Sequence, residues 1–295
     1  MRNMINRFLS LSAWLAVGVM ALTSCSSSDV DTWYDDENDE ANVVTISITD
    51  DGNTDNLPAG SHIGLFVIDG NGNPVVSNQM LTLGTGGSAT LPDVALTGQL
   101  IVYSPYQTDW EHALSEKSRF DVQDNQSTAE GYKASDLLIG SGDASQLSMK
   151  HVLSRIVVHI TDETGDVDMG EMNVQLLNKT GSVMVDLRNA STESVADSEK
   201  DIAMYPYELS DWRLSLEAIV APQTITNGDE FLEFSRNGRS QVFYIPQDAT
   251  LEGGKTFIYY FRLTQTGVIF DGTTITNWRN GGTTDDIKII TDDNA

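Results

Sequence analysis

Few residues in this chain have the types and spacing that chemistry needs. Gly84-Thr85-Gly86-Gly87-Ser88-Ala89 matches the G-x-G-x-x-A pattern of dinucleotide sites. Such a site needs a helix next, so that its N-terminal amides meet the pyrophosphate. Thr90-Leu91-Pro92 follows instead, so the segment reads as a glycine-rich hairpin loop. Asp51-Gly52-Asn53-Thr54-Asp55 and Asp69-Gly70-Asn71-Gly72-Asn73 begin like calcium loops. An EF-hand also requires Gly at its sixth position and Glu at its twelfth. Those places hold Asn56 and His62 in the first segment, and Pro74 and Met80 in the second. Both read as solvated turns, with at most weak calcium affinity. The four histidines, His62, His112, His151 and His159, contain no H-E-x-x-H pair. Eight residues of straight strand span about 26 Å, so His151 and His159 on one strand could not share a metal. A core or rim position is the default for each. No G-x-S-x-G elbow and no Walker loop occurs. With 43 acidic residues, close carboxylate pairs are unavoidable and carry no glycosidase signal. Trp110, Trp212 and Trp278, with Tyr103 and Tyr106, have rings that could stack on a glycan, but such residues in β-sandwiches more often anchor the core. The sequence therefore offers no catalytic residue, no metal site and no cofactor.

One residue does carry a chemical signal. Arg2 and Arg7 precede an apolar run from Phe8 to Leu22, too short to span a bilayer core of about 30 Å as a helix. A positive start, a short apolar core and small residues after it make a secretory signal. The run ends in Leu22-Thr23-Ser24-Cys25, and Cys25 is the single cysteine. This resembles the lipobox of bacterial lipoproteins, which implies cleavage between Ser24 and Cys25 and acylation of Cys25. Residues 1–24 are thus a signal peptide. The sole cysteine also excludes an intrachain disulfide framework.

Residues 25–42 form a tether. Seven of the 15 residues from Ser26 to Glu40 are acidic and none is basic, so this stretch cannot bury enough apolar area to fold. An acidic leader behind a lipidated cysteine resembles the surface-export signal of Bacteroidetes lipoproteins. The whole chain has 295 residues and a formal net charge of −26. That charge excludes nucleic acid as a partner and excludes electrostatic docking on anionic lipid. A hydrophobic fraction of 40% is enough to build a core.

The rest reads as β-sheet. Val44, Ile46 and Ile48 alternate with Thr45, Ser47 and Thr49, the period-2 signature of a half-buried strand. Further strands are expected at 63–68, 75–76, 100–103, 156–160, 174–177, 183–187, 214–220, 242–245 and 256–263, with Gly, Asn and Asp clusters between them. No segment shows a sustained helical repeat. The fold class is all-β, with sandwich packing. The polar stretch Thr161–Asp166 is the best hinge between an N-terminal domain, 43–165, and a C-terminal domain, 166–282, although it would equally fit a hairpin loop. Residues 283–295 are a tail.

Several blocks resemble the fimbrillin family of Bacteroidales, the Mfa-like and FimA-type pilins and related surface lipoproteins. They are Gly98-Gln99-Leu100-Ile101-Val102-Tyr103-Ser104-Pro105-Tyr106; Ser135-Asp136-Leu137-Leu138-Ile139-Gly140; His151-Val152-Leu153-Ser154-Arg155-Ile156; Ile219-Val220-Ala221-Pro222-Gln223-Thr224-Ile225; and Gly253-Gly254-Lys255-Thr256-Phe257, closed by Ile275-Thr276-Asn277-Trp278-Arg279-Asn280-Gly281-Gly282. The resemblance implies two transthyretin-like β-sandwich domains in tandem. It also implies a fimbrial or adhesion-type lipoprotein of the outer membrane, exposed on the cell surface. Its partners would be other fimbrial subunits, joined by β-strand exchange. Val44, Ile46 and Ile48 would be the replaceable first strand, and Ile287, Ile289 and Ile290 a donor strand in the tail. The alternative is a non-polymerising lipoprotein that binds a glycan or a host protein.

One departure bears on the role. The best-known members are cut after an arginine just beyond the first strand. Here no Lys or Arg occurs between Cys25 and Lys117, while 15 acids fall there. The tail after Gly282 has 13 residues, four of them acidic. Both features favour a tip, anchor or accessory subunit over a main shaft subunit.

Overall fold

Alternating β-branched residues and dense turn chemistry make most of the described residues strand. A computed structural model describes residues 43–278, save 51–52, 92–97, 143–145, 163–164, 166–171 and 210. The fold is all-β. Every strand read from the sequence lies within or overlaps an observed strand. One α-helix, Ala129–Ser135, was not foreseen. It is seven residues long, too short to display an apolar period, and its signals are local. Thr128 caps its N-terminus by accepting a hydrogen bond from Gly131 N at 3.1 Å.

The first sheet has eight strands. In spatial order they are Asn53–Asp55, Val43–Asp50, Gln146–His151, Leu138–Gly142, Gln99–Ser104, His62–Ile68 and Pro74–Thr82, with Ser88–Thr90 also bonded to Val43–Asp50. A five-stranded sheet follows the order Tyr205–Tyr207, Leu214–Val220, Ser154–Asp162, Lys255–Leu263 and Val268–Asn277. A four-stranded sheet contains Glu199–Ala203, Asn173–Thr180, Glu230–Arg236 and Arg239–Tyr244. Smaller sheets join Ser118–Asp121 to Ser182–Asp186 and Ser191–Ser194, and Gln223–Ile225 to Ala249–Leu251. The chain leaves the first sheet after His151 and enters the five-stranded sheet at Ser154. The strand that begins there runs through Thr161 and Asp162, the start of the stretch read as a hinge.

The first sheet buries both faces. Ile63, Leu65 and Val67 pack with Val44, Ile46, Ile48, Leu100, Val102, Leu147 and Met149 in one core. Phe66, Ile68, Ile101 and Tyr103 face the other way, into a larger core shared with residues of the second half of the chain. That is why Ile63–Ile68 reads as an unbroken apolar run instead of an alternation.

Candidate functional site

The first strand is held on both sides. Val43–Asp50 runs parallel to Gln146–His151, with Ile46 level with Leu147 and Ile48 level with Met149. On its other side two short strands share the edge, both antiparallel. Ser88–Thr90 pairs with Val43–Thr45, and Asn53–Asp55 pairs with Ile48–Asp50. Val44 and Ile46 are 1% exposed and Ile48 is 5% exposed, while Val43 is 59% exposed. At about 25 cal/mol per Å² of apolar area, each inward side chain contributes roughly 1.5–3 kcal/mol on burial.

The glycine-rich segment borders this strand. Thr85–Gly87 is a 3₁₀ turn, and Ser88–Thr90 after it is one of the flanking strands. Gly87 has φ +73°, and a Cβ there would lie 2.1 Å from the Ile46 carbonyl oxygen. The glycine thus permits a close backbone approach, and no dinucleotide-type helix follows it.

A charged clamp closes the strand's C-terminal end. Asp50 shares the parity of Val44, Ile46 and Ile48, and so points inward. Its Oδ2 lies 2.7 Å from His151 Nδ1, at the end of the neighbouring parallel strand. Asp136, just after the helix, brings Oδ2 within 3.4 Å of His151 Nε2. The His151 side chain is 0% exposed. Its ring stacks on Trp278 with centroids 4.1 Å apart and planes 9° apart. The Arg155 guanidinium lies over the Trp278 ring at 5.2 Å and within 3.6 Å of Glu217. Burial pushes His151 down, but the carboxylates of Asp136 and Asp50 more than reverse this and raise it to about 9. At neutral pH it is an imidazolium between two carboxylates.

The H-x-x-S-R block is thereby explained residue by residue. His151 holds the first strand. The buried Ser154 hydroxyl donates to the Glu252 carbonyl at 2.9 Å. Arg155 covers Trp278 and donates from Nε to Thr256 Oγ1 at 3.1 Å. Three elements meet at this junction: the first strand, the start of the five-stranded sheet, and the last described residue of the chain.

Beside the clamp lies a cleft of about 410 Å³, lined by Ile48, Leu57, Pro58, Pro105, Lys133 and Asp136 among others. Asp136 Oδ1 and His151 Nε2 are both buried without a hydrogen-bond partner among the described residues.

The remaining candidates fall into place. His159 sits on a different strand from His151, bonded to Ser215 Oγ at 3.0 Å and stacked on Trp212 at 4.7 Å. Burial, then Arg155, lowers His159 to about 4, so it is a neutral packing residue. Trp110 is buried against Tyr103 and donates its N–H to the Arg119 carbonyl. Trp110 and Trp278 are core anchors, whereas Trp212 and Tyr106 are only partly buried. Asp69 accepts from the backbone of Asn71 and Asn73 at 2.9 and 2.8 Å, a turn closed on itself. Asn53–Asp55 of the other loop is strand. Ser24, Cys25, Ile287, Ile289 and Ile290 lie outside the described residues.

Reasoning from sequence passed over Asp50, Asp136 and the stacking role of Trp278. A signal for Asp50 was available: an acid at the inward parity of a half-buried strand needs a buried cationic partner. Nothing local marks Trp278, because its partner is far away in sequence, and Asp136 meets His151 only once Leu138–Gly142 and Gln146–His151 pair.

Comparison with known proteins agrees with this architecture. A search of curated proteins gives no match. Among solved structures, a candidate cell adhesion protein of Bacteroides uniformis aligns with TM-score 0.64 at 16% identity, over 82% of this chain and 99% of its own. A second, from Bacteroides ovatus, aligns with TM-score 0.66 at 16% identity, over 81% of this chain and 98% of its own. At such identity the likeness shows the fold. The sequence profile of the fimbrillin-like family matches residues 47–278, from within the first strand to Trp278. The match covers most of the chain, so this protein belongs to the fimbrillin-like family and has a structural, non-enzymatic, fimbrial-type role at the cell surface.

Proposed function

We propose that this protein is a lipid-anchored fimbrial subunit of the outer membrane, whose first strand can be exchanged for a strand from another subunit. The observation that carries the reading is the seating of Val43–Asp50. It is the first described segment, it fills a groove with three buried side chains, and its outer edge is covered only by two short strands. A segment of that kind can leave and be replaced by β-augmentation, because the groove would then offer open backbone groups and apolar pockets. Cys25, freed by cleavage after Ser24, is the acylated residue, and residues 25–42 are the tether. Ile287, Ile289 and Ile290 supply the donor. The chain forms two transthyretin-like sandwiches, residues 43–165 and 166–282. The base-free stretch from Ser26 to Glu116 favours a tip, anchor or accessory position.

N-terminal sequencing of protein sheared from cells tests this. A start beyond Ile48 in an SDS-resistant ladder supports strand exchange. Only full-length, acylated monomer on cells rules it out. Palmitate label that persists in Cys25→Ala refutes the anchor.

The cleft beside the clamp favours a second reading, in which the strand is retained and the protein binds a glycan or host protein. Saturable glycan binding lost in Asp136→Asn would support that alternative.

A further inference from the structure

A strand at the rim of a sheet offers unpaired backbone N–H and C=O groups, and proteins guard such rims with charge, proline, bulges or brevity. Most rims among the described residues are guarded in one of these ways. Pro74–Thr82 opens on a proline and carries the left-handed Asn78, φ 48°, in its middle. Glu199–Ala203 holds Glu199, Lys200 and Asp201. Arg239–Tyr244 begins with an arginine, and its Gln241 is engaged with Val268. The remaining rim strands have four residues or fewer. The exception is Val268–Asn277, ten residues long and last in the five-stranded sheet.

The first half of that strand is covered. Gln241 accepts from Val268 N at 2.9 Å through Oε1 and donates from Nε2 to Val268 O at 2.8 Å. A bulge follows, with Asp271 as the extra residue, ion-paired to Arg262 at 3.0 Å. The second half, Gly272-Thr273-Thr274-Ile275-Thr276-Asn277, has no charge, no proline and no bulge. Trp278 N donates to Gly254 O at 2.9 Å. Alternation back from that bond turns the backbone groups of Thr274 and Thr276 toward Lys255–Leu263, and those of Thr273, Ile275 and Asn277 outward. No described strand meets them there. Ile275, at 61%, is the most exposed large hydrophobic side chain among the described residues.

We propose that this half-edge pairs with the same half-edge of a second copy of the chain, antiparallel about a two-fold axis at Ile275. The segment is self-complementary in that register. Ile275 lies opposite Ile275 of the second copy, and Thr273 opposite Asn277 of the second copy, each with its backbone groups facing the other. Three such narrow pairs exchange about six hydrogen bonds. Between them Thr274 meets Thr276 of the second copy, a cross-strand pair that sheets favour. The nearest charges are engaged within each chain, Asp271 with Arg262 and Lys255 with Asn277 Oδ1. A two-fold contact lets one neutral segment satisfy itself. It is also the long rim at which two strongly acidic chains can meet without bringing like charges face to face. Repulsion between the whole chains still opposes the contact, so salt strengthens it. The contact involves neither the first strand nor its groove, and it does not depend on strand exchange.

Sedimentation velocity of the mature full-length chain should show a monomer–dimer equilibrium that moves toward dimer with concentration and with added salt. Ile275→Lys sets two ammonium groups opposite each other at the axis. Thr273→Pro removes an outward N–H that the chain's own sheet does not use. Each is expected to weaken dimerisation by about tenfold or more, with an unchanged circular dichroism spectrum. Ile269→Lys, exposed on the covered half of the same strand, should leave dimerisation as it is. A mixture of Ile275→Lys and Ile275→Glu should associate although neither does alone, because residue 275 meets itself. Monomer at every concentration overturns the inference. So does a dimer that survives both substitutions, since its contact lies elsewhere. A mixture that stays monomeric overturns the two-fold register. Hydrogen exchange on the unaltered chain needs no variant to fold: the Ile275 amide should exchange more slowly as concentration rises. Protection that is equal at all concentrations means the edge is covered within one chain, and overturns the choice of a second copy.

Discussion

Raising the pH should weaken the clamp, by an amount the site itself sets. His151 is raised from the ordinary 6.5 to about 9 by Asp136 and Asp50, against the effect of burial. Beyond Trp278 lie Arg155 and Glu217, themselves an ion pair. At about 1.4 kcal/mol for each tenfold change in proton affinity, the protonated form is favoured by ~3 kcal/mol on folding. The folded value is raised, so this stability is fully present below pH 6.5. It falls between 6.5 and about 9 and is gone above that. Lys179 acts in the opposite sense. Burial lowers it to about 8, and its cost to the fold fades as the pH rises above that value. The wild type alone is therefore uninformative, and the comparison must be with His151→Gln. Urea unfolding at pH 6 and pH 9.5 should show the variant weaker by roughly 3 kcal/mol at the lower pH, with most of the gap closed at the higher. NMR titration of the four histidines should place one resonance near pH 9. Parallel stability curves for the two proteins, or a His151 midpoint at or below 6.5, would refute the reasoning.

Other outcomes are as specific. Gly87→Ala forces a side chain into positive φ and against the Ile46 carbonyl oxygen, and should cost roughly 1–3 kcal/mol by thermal melting, with faster hydrogen exchange in the first strand. Trp278→Ala removes a fully buried ring between His151 and Arg155 and should cost about 3–5 kcal/mol in denaturant unfolding. His159 is lowered to about 4, so its share of stability is present above pH 6.5 and lost as the pH falls through 4; His159→Phe should flatten that acid limb by roughly 3 kcal/mol. A methyl group on Gly64 would enter the Tyr103 ring, which lies 2.0 Å from the Cβ position, so Gly64→Ala should lower the melting temperature unless Tyr103 is trimmed at the same time.

The strands were legible because their signal is local. Val44-Thr45-Ile46-Ser47-Ile48 alternates, and Ile63–Ile68 is apolar throughout, and each pattern follows from how many faces its strand buries. Pairing was not legible. Nothing in the sequence says that Val43–Asp50 lies parallel to a strand about a hundred positions away, since that choice depends on the sum of many distant contacts. The clamp was hidden for the same reason. His151 reads as an ordinary core or rim histidine until Asp50, Asp136 and Trp278 are brought to it from three other parts of the chain. The short helix escaped because seven residues cannot show a period. The glycine-rich segment was recognised as a loop, but its task of letting backbone pass close to Ile46 needed the fold.

The seating of the first strand also decides how the molecule bears load. Tension that enters at Val43 runs along the strand's axis, across the hydrogen bonds that tie it to its neighbours: at right angles to those with the antiparallel Ser88–Thr90 and Asn53–Asp55, and aslant to those with the parallel Gln146–His151. Bonds loaded in that direction share the force and must give way together, whereas a peeled strand loses them one at a time. Force drawn along this strand from Val43 would therefore meet it in its strongest direction. The Asp50–His151 pair sits at the far end of that path, where it acts as a stop against sliding.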